Sequence, residues 1–117
     1  LRILLVDDDA MVRRSIRRLL RDHEVTAAAS GQTAIECCDT AQFDVILCDV
    51  MMPGMSGTEL LERLSSTHPE QAARLILVTG GVFTPDEKER IDRLGTRVLQ
   101  KPITADQLQE AIAEAAR

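Results

Sequence analysis

The sequence has 117 residues and a net charge of −5, which suits one domain and argues against nucleic acid as the main partner, because phosphate backbones are bound by basic surfaces. It contains no Trp or Tyr and two Phe, so the aromatic platforms on which single-stranded nucleic acids stack are missing. No stretch approaches the roughly 20 apolar residues of a membrane span, and no secretory leader is visible. We therefore expect a cytoplasmic domain over residues 1–117 without membrane contact, and the missing initial Met is compatible with a piece of a longer chain.

The first half of the chain alternates apolar runs with amphipathic segments. Arg2–Val6 predicts a strand, and apolar residues at helical spacing predict a helix over Met11–Arg21. A second strand is predicted over Glu24–Ala29, followed by a helix that Ser30 caps and that extends to about Cys38. The inner face of the first helix is expected to consist of Val12, Ile16, Leu19 and Leu20.

The same alternation continues through the middle of the chain. Asp44–Cys48 predicts a buried strand, and Ser56 with Glu59 forms a capping-box pattern that opens a helix ending near Ser66. Leu75–Val78 predicts the fourth strand. The three cysteines have no metal-ligand spacing and are interpreted as small buried residues in a reducing compartment: Cys37, Cys38 and Cys48.

Two helices and one strand complete the pattern. Thr84 and Glu87 form a second capping box, with proline at the first helical position. A short fifth strand is predicted over Arg97–Gln100, and Thr104 with Gln107 caps a final helix. The inner face of this helix is expected to consist of Leu108, Ala111, Ile112 and Ala115.

Five strand–helix repeats predict a doubly wound α/β domain, in which a parallel sheet carries helices on both faces. Ligands bind such sheets at the carboxyl ends of the strands. The residues that follow each strand are therefore the candidates for a functional site.

Charged and polar side chains follow four of the five predicted strands: Asp7, Asp8, Asp9, Asp49, Thr79 and Lys101. Carboxylates gathered at one edge repel each other, so their negative charge must be neutralised either by protonation or by a bound cation. Oxygen ligands favour Mg²⁺, Mn²⁺ or Ca²⁺, and a site with few protein ligands is typical of Mg²⁺ and leaves room for phosphate oxygens. With a hydroxyl and an ammonium group beside it, such a site suits phosphoryl transfer. Asp9, taken alone, fits an N-cap of the first helix better than a metal ligand.

The segments ILLVDDD, DVILCDVMMPGMSGTELL, LILVTGG and VLQKPIT resemble the receiver domain of two-component response regulators over essentially the whole chain. The resemblance implies a flavodoxin-like (βα)5 fold with strand order 2-1-3-4-5. It also implies a bacterial signalling domain, monomeric or weakly dimeric, that accepts a phosphoryl group from a histidine kinase or histidine phosphotransfer protein without turning over a product. The stretch LVTGGVFTPDEKERIDRLGTRVLQKPI also resembles receivers at the carboxyl end of hybrid sensor histidine kinases, and both arrangements stay open.

Matched position by position, the resemblance implies a magnesium site. Asp49 would be the phosphoacceptor and a metal ligand, Asp8 a direct ligand, and Asp7 an acid that holds Mg²⁺ through water. The backbone carbonyl of Met51 would complete the set, because a thioether is a poor Mg²⁺ ligand.

The resemblance also assigns the groups around the phosphoryl group. Thr79 would bond a phosphoryl oxygen, and Lys101 would pair with the acyl phosphate. Gly57 matches the family's glycine in the loop after the acceptor, and Pro102 matches a position that is often preceded by a cis peptide bond.

Two features depart from the family pattern. Val98 stands where the family often has an aromatic switch residue three positions before the lysine, and a valine has no ring to flip inward. The charged helix after Thr84 has only Ile91 and Leu94 as clear apolar anchors, which indicates a loosely held, solvated helix.

The predicted first helix carries five arginines: Arg13, Arg14, Arg17, Arg18 and Arg21. An electrostatic dock for an acidic phosphodonor protein and an ordinary solvated face fit this pattern equally well.

Two other functions stay open at this point. A haloacid dehalogenase-like phosphohydrolase would use a D-x-D motif, which Asp7 and Asp9 supply, but Met11 lacks the hydroxyl expected two places later. A degenerate receiver that binds partners without phosphorylation is disfavoured by the acids, Thr79 and Lys101.

Overall fold

A computed structural model describes residues 1–117 as a five-stranded parallel sheet with helices on both faces. The strands are β1 (Arg2–Val6), β2 (Glu24–Ala28), β3 (Val45–Asp49), β4 (Leu75–Thr79) and β5 (Arg97–Gln100). The helices are α1 (Ala10–Leu19), α2 (Gly31–Thr40), α3 (Gly57–Thr67), α4 (Pro69–Ala72), α5 (Pro85–Leu94) and α6 (Ala105–Ala115). The strands pair in the order β2-β1-β3-β4-β5, so the predicted fold class and strand order are confirmed.

The predicted strands and helices are all present, and their ends differ from the predictions by at most two residues. One element was missed. The short helix α4 begins at Pro69, and its four residues are too few to show helical periodicity in the sequence. None of the helices combines the length and the apolar character that a bilayer-spanning segment requires.

The core lies in two layers because the strands are buried on both faces. Alternate strand residues such as Leu4 and Ile46 pack towards α2, α3, α4 and α5, while Ile3 and Leu5 pack towards α1 and α6. β3 and β4 are buried along their whole length, as expected for central parallel strands. The three cysteines are free thiols; Cys38 and Cys48 are buried and Cys37 is partly buried.

Side-chain caps start most of the helices where the sequence predicted them. Thr84 and Thr104 each accept from the N3 backbone N–H, and both capping boxes are complete. The Ser56 capping box is only half formed. The Ser56 Oγ accepts from the Glu59 N–H at 3.3 Å, as the motif requires. The Glu59 carboxylate, however, accepts a hydrogen bond from the Ser56 hydroxyl rather than from the Ser56 backbone N–H.

Two predicted apolar anchors are not buried. Leu19 is 37% exposed because α1 ends there, whereas Leu20, which was predicted on the same face, is buried. In α5 only Ile91 is buried, and Leu94 is 37% exposed. An ion-pair clamp supplements this single anchor, since the Glu62 carboxylate of α3 lies 2.9 Å from Arg90 Nε and 3.1 Å from Arg93 Nη2.

The unpredicted helix α4 holds a buried glutamine against the end of α2. Gln71 is 6% exposed, and its Oε1 accepts from the Phe43 N–H at 3.0 Å. Its Nε2 donates to the carbonyls of Cys38 and Ala41, each at 3.4 Å. One side chain therefore satisfies three backbone groups between α2 and β3, of which the Phe43 N–H and the Cys38 carbonyl are buried.

We predict that Gln71→Met destabilises the domain. Methionine has a similar length but cannot bond the Phe43 N–H or the two carbonyls, and an unsatisfied buried backbone group costs about 1–3 kcal/mol. Urea unfolding should show this loss in the free energy of unfolding. Gln32→Met is the matched control, because Gln32 is exposed on α2 and its substitution should change stability by less than about 0.5 kcal/mol. Equal stability of the two variants would contradict the assignment.

Candidate functional site

Three carboxylates meet at the carboxyl ends of β1 and β3. Asp7 and Asp8 directly follow β1, and Asp49 ends β3. Because Val6 pairs with Cys48, the two chain segments leave the sheet side by side. The connections from β1 and β3 run to opposite faces here, which opens a crevice at the switch point of the sheet. One carboxylate oxygen from each residue lies within 4.8 Å of the others, so the predicted acids are brought together.

Asp7 is fixed from several directions. Its side chain is 2% exposed, and its Oδ1 accepts from the Asp9 N–H at 2.9 Å. Its backbone N–H donates to the Ala28 carbonyl at 3.1 Å. Its carbonyl accepts a 2.6 Å hydrogen bond from Nη1 of Arg13. This last contact is not predictable from the sequence, because a bond across a loop and into a helix leaves no periodic signal.

The hydroxyl of Thr79, at the end of β4, and the ammonium group of Lys101, which follows β5, lie at the same edge of the sheet. Lys101 Nζ lies 3.7 Å from Asp49 Oδ1. The Lys101 backbone N–H donates to the Thr79 carbonyl at 2.8 Å, which extends the pairing of β4 with β5. Thr79 is 2% exposed, and its Oγ1 accepts from the Gly81 N–H at 3.1 Å. The Lys101–Pro102 peptide bond is cis.

Burial raises the pKa of both inner carboxyl groups. For Asp7, loss of water is the largest cause, and the nearby Asp49 charge adds to it against the backbone hydrogen bond from Asp9. For Asp49, loss of water again dominates, and the positive charge of Lys101 opposes it. Both shifts show that the ionised carboxylates are less stable here than in water. A bound cation would stabilise the ionised forms.

The loop after Asp49 depends on a glycine. A Cβ on Gly57 would collide with the Asp49 carbonyl oxygen and lie 2.9 Å from the Val50 Cα. The first turn of α3 therefore packs against the backbone that carries Asp49. Met51, two residues after Asp49, has a side chain that is 74% exposed.

Asp9 does not join the cluster. Its Oδ1 caps α1 by accepting from Met11 N–H at 2.9 Å and Val12 N–H at 3.4 Å, which confirms the N-cap interpretation. A D-x-D phosphohydrolase needs this second acid at the reaction centre, so the capping geometry counts against that alternative.

The remaining family positions lie around the site. Val98 is half-buried and packs against the core layer under α2–α5, as does the half-buried ring of Phe83. Among the arginines of α1, Arg14 and Arg18 are exposed, whereas Arg13 is half-buried.

Comparisons with known proteins agree with this geometry. The response regulator receiver domain family matches residues 3–113. The chemotaxis protein CheY of Pseudomonas aeruginosa is 32% identical over 115 residues, covering 96% of this chain and 93% of that protein. The response regulator UvrY of Escherichia coli is 36% identical over 81 residues, covering 66% of this chain, and the aligned region spans only 36% of UvrY.

The fold has close structural counterparts. A CheY-like response regulator receiver domain protein from Methanospirillum hungatei superposes with a TM-score of 0.88 at 30% identity, over 98% of this chain and 92% of that chain. The family match over nearly the whole sequence, on a sheet of the predicted order, shows that this chain belongs to the response regulator receiver domain family.

Proposed function

We propose that residues 1–117 form the phosphoacceptor domain of a two-component phosphorelay, with Asp49 as the residue that is phosphorylated. One observation carries this proposal: the Asp49 carboxylate is grouped with those of Asp7 and Asp8 within 4.8 Å and lies 3.7 Å from Lys101 Nζ. An acidic nucleophile between a cation-binding cluster and a lysine is the arrangement that phosphoryl transfer requires. The donor is proposed to be a phosphohistidine of a kinase or phosphotransfer protein in the cytoplasm.

The donor atoms fit Mg²⁺. They are carboxylate oxygens of Asp7, Asp8 and Asp49, to which we add the backbone carbonyl of Met51, and hard oxygen ligands select Mg²⁺ over zinc. The pKa values of Asp7 and Asp49 are raised mainly by burial, with a smaller contribution from the neighbouring acids, and a divalent cation would stabilise the ionised carboxylates. When bound, Mg²⁺ would neutralise charge on the phosphoryl oxygens.

The side chains divide the remaining work. The Asp49 carboxylate attacks the phosphorus atom, the nitrogen–phosphorus bond of the donor breaks, and the imidazole leaves with the electron pair of that bond. Lys101 keeps a positive charge beside the new acyl phosphate. The Thr79 hydroxyl, which accepts from the Gly81 N–H, still has a proton to donate to a phosphoryl oxygen. The product stays on Asp49, so the domain is not proposed to turn over a substrate.

Docking of the donor is proposed to involve α1. Arg14 and Arg18 are exposed one helical turn apart, and α1 begins at the N-cap Asp9 beside the carboxylate cluster. Arg13 and Arg17 suit this role less, because their guanidinium groups contact the carbonyls of Asp7 and Val25.

Phosphorylation should depend on the Asp49 carboxylate. With acetyl phosphate and Mg²⁺, the parent domain should gain one phosphoryl group per chain, as measured by intact mass. Asp49→Asn should gain none, because the amide is not a nucleophile of comparable strength. The control Asp22→Asn changes an exposed acid and should be labelled like the parent. Labelling of the Asp49 variant, or multiple turnover of a phosphate monoester, would contradict the proposal.

The negative charge of the metal-free cluster should lower the stability of the domain. Burial raises the pKa of Asp7, so its ionised form destabilises the fold above that raised pKa, and the penalty fades as the pH falls through it. Near neutral pH, Asp7→Asn should therefore be more stable by about 1 kcal/mol, or roughly 4 °C in the unfolding midpoint. The gain should shrink on acidification.

Calorimetry at several pH values, without metal, measures this difference. Mg²⁺ should raise the midpoint of the parent more than that of Asp7→Asn, because the parent binds it more tightly. Asp22→Asn should match the parent both in its metal-free stability and in its response to Mg²⁺. A metal-free Asp7→Asn variant that is less stable than the parent at neutral pH would rule out the charge argument.

Docking of the phosphodonor protein should depend on Arg14 and Arg18 of α1. The double change Arg14→Glu and Arg18→Glu should slow transfer from a cognate phosphodonor protein about tenfold at low salt, because steering by charge acts mainly on the association rate. Phosphorylation by acetyl phosphate should not change. If both donors are slowed alike, the arginines act on the site itself and the docking role is refuted.

A further inference from the structure

We propose that Arg13 is a positioning residue, whose hydrogen bond to the Asp7 carbonyl fixes the Asp7–Asp8 peptide and so aims both acids at a bound cation. This inference rests on the proposed function in one respect, namely that the carboxylate cluster binds a divalent cation.

Arg13 differs from the other arginines of α1 in its surroundings. It is half-buried, whereas Arg14, Arg17 and Arg18 are exposed. Its Nη1 donates to the Asp7 carbonyl at 2.6 Å, a short bond from a charged donor, and such bonds are stronger than those between neutral groups. The guanidinium therefore links the body of α1 to the loop that carries the acids.

The Asp7–Asp8 peptide is the part of the loop that this bond controls. The Asp7 amide is tied to Ala28 and the Asp7 carboxylate to the Asp9 N–H. Arg13 holds the carbonyl, which is the remaining backbone group of Asp7. Asp8 is exposed, so packing does not hold its side chain, and the Asp7–Asp8 peptide sets the direction in which that side chain leaves the backbone.

Two effects of Arg13 on a cation act in opposite directions. Its positive charge repels a metal ion, and salt screens this repulsion little at distances below the Debye length of about 8 Å. Its hydrogen bond orients the ligands, and loss of an outer-shell partner typically weakens metal binding about 10–100-fold. We expect orientation to be the larger effect, so removing Arg13 should weaken binding.

The matched pair of variants is Arg13→Met and Arg17→Met in the full chain. Arg17 also donates to a backbone carbonyl, that of Val25 at 3.5 Å, so its loss removes the same charge and the same kind of bond away from the acids. Mn²⁺ binding is followed by electron paramagnetic resonance, because a chain without Trp or Tyr offers little intrinsic fluorescence. We expect about tenfold weaker Mn²⁺ binding for Arg13→Met and a change below about twofold for Arg17→Met.

A second readout separates positioning from a general structural defect. The rate of phosphorylation by acetyl phosphate is measured against Mg²⁺ concentration. For Arg13→Met, the half-saturating concentration should rise about tenfold while the rate at saturation stays within about twofold of the parent. An unchanged half-saturating concentration with a lower saturating rate overturns the proposal.

The outcomes distinguish this inference from the proposed function. If the parent binds no Mn²⁺, the cation site itself is refuted. If the parent binds Mn²⁺ and Arg13→Met binds it equally well or more tightly, Arg13 is not a positioning residue. Should Arg13→Met fail to fold, Arg13→Lys keeps the charge on a shorter side chain; weaker Mn²⁺ binding by that variant supports the role, and parental binding overturns it.

Discussion

The burial of the Asp7 and Asp49 carboxylates, with Asp8 close beside them, is the constraint on which the rest of the site depends. Two of these carboxylates are nearly inaccessible to water, and burial raises the pKa of each. Only one cation of the chain, Lys101, pairs with the cluster. The fold therefore gathers more negative than positive charge at this edge, and a divalent cation would balance it.

The sheet can hold the acids together because its centre is rigid. β1, β3 and β4 are packed between two layers of helices, so the carboxyl ends of the strands have little freedom to move apart. Gly57 lets α3 approach the backbone at Asp49, and Arg13 ties α1 to the backbone at Asp7. Both helices that flank the crevice thus contact the main chain of an acid directly.

Helix α5 is held more loosely than the helices that flank the crevice. One buried side chain, Ile91, and the exposed clamp from Glu62 to Arg90 and Arg93 hold α5, and exposed ion pairs contribute little stability. Val98 has no ring to rotate, and the aromatic side chain that packs on this layer is Phe83, in the loop before α5. The loop that joins Thr79 to α5 therefore carries an aromatic ring packed on the core, which position 98 lacks.

The sequence alone determined the strand–helix alternation and the candidates at the strand ends, because apolar periodicity and caps are local signals that survive in one dimension. It did not predict individual tertiary contacts. Gln71 and Arg13 bond backbone carbonyls outside their own helices, and no sequence spacing indicates such bonds. Leu19 and Leu20 both fit the predicted inner face, and only the packed structure shows that Leu20 is buried while Leu19 is exposed. The sequence thus named the acids, the hydroxyl and the lysine, while the tertiary structure decided which acids meet, because strand order and loop hydrogen bonds set the distances between them.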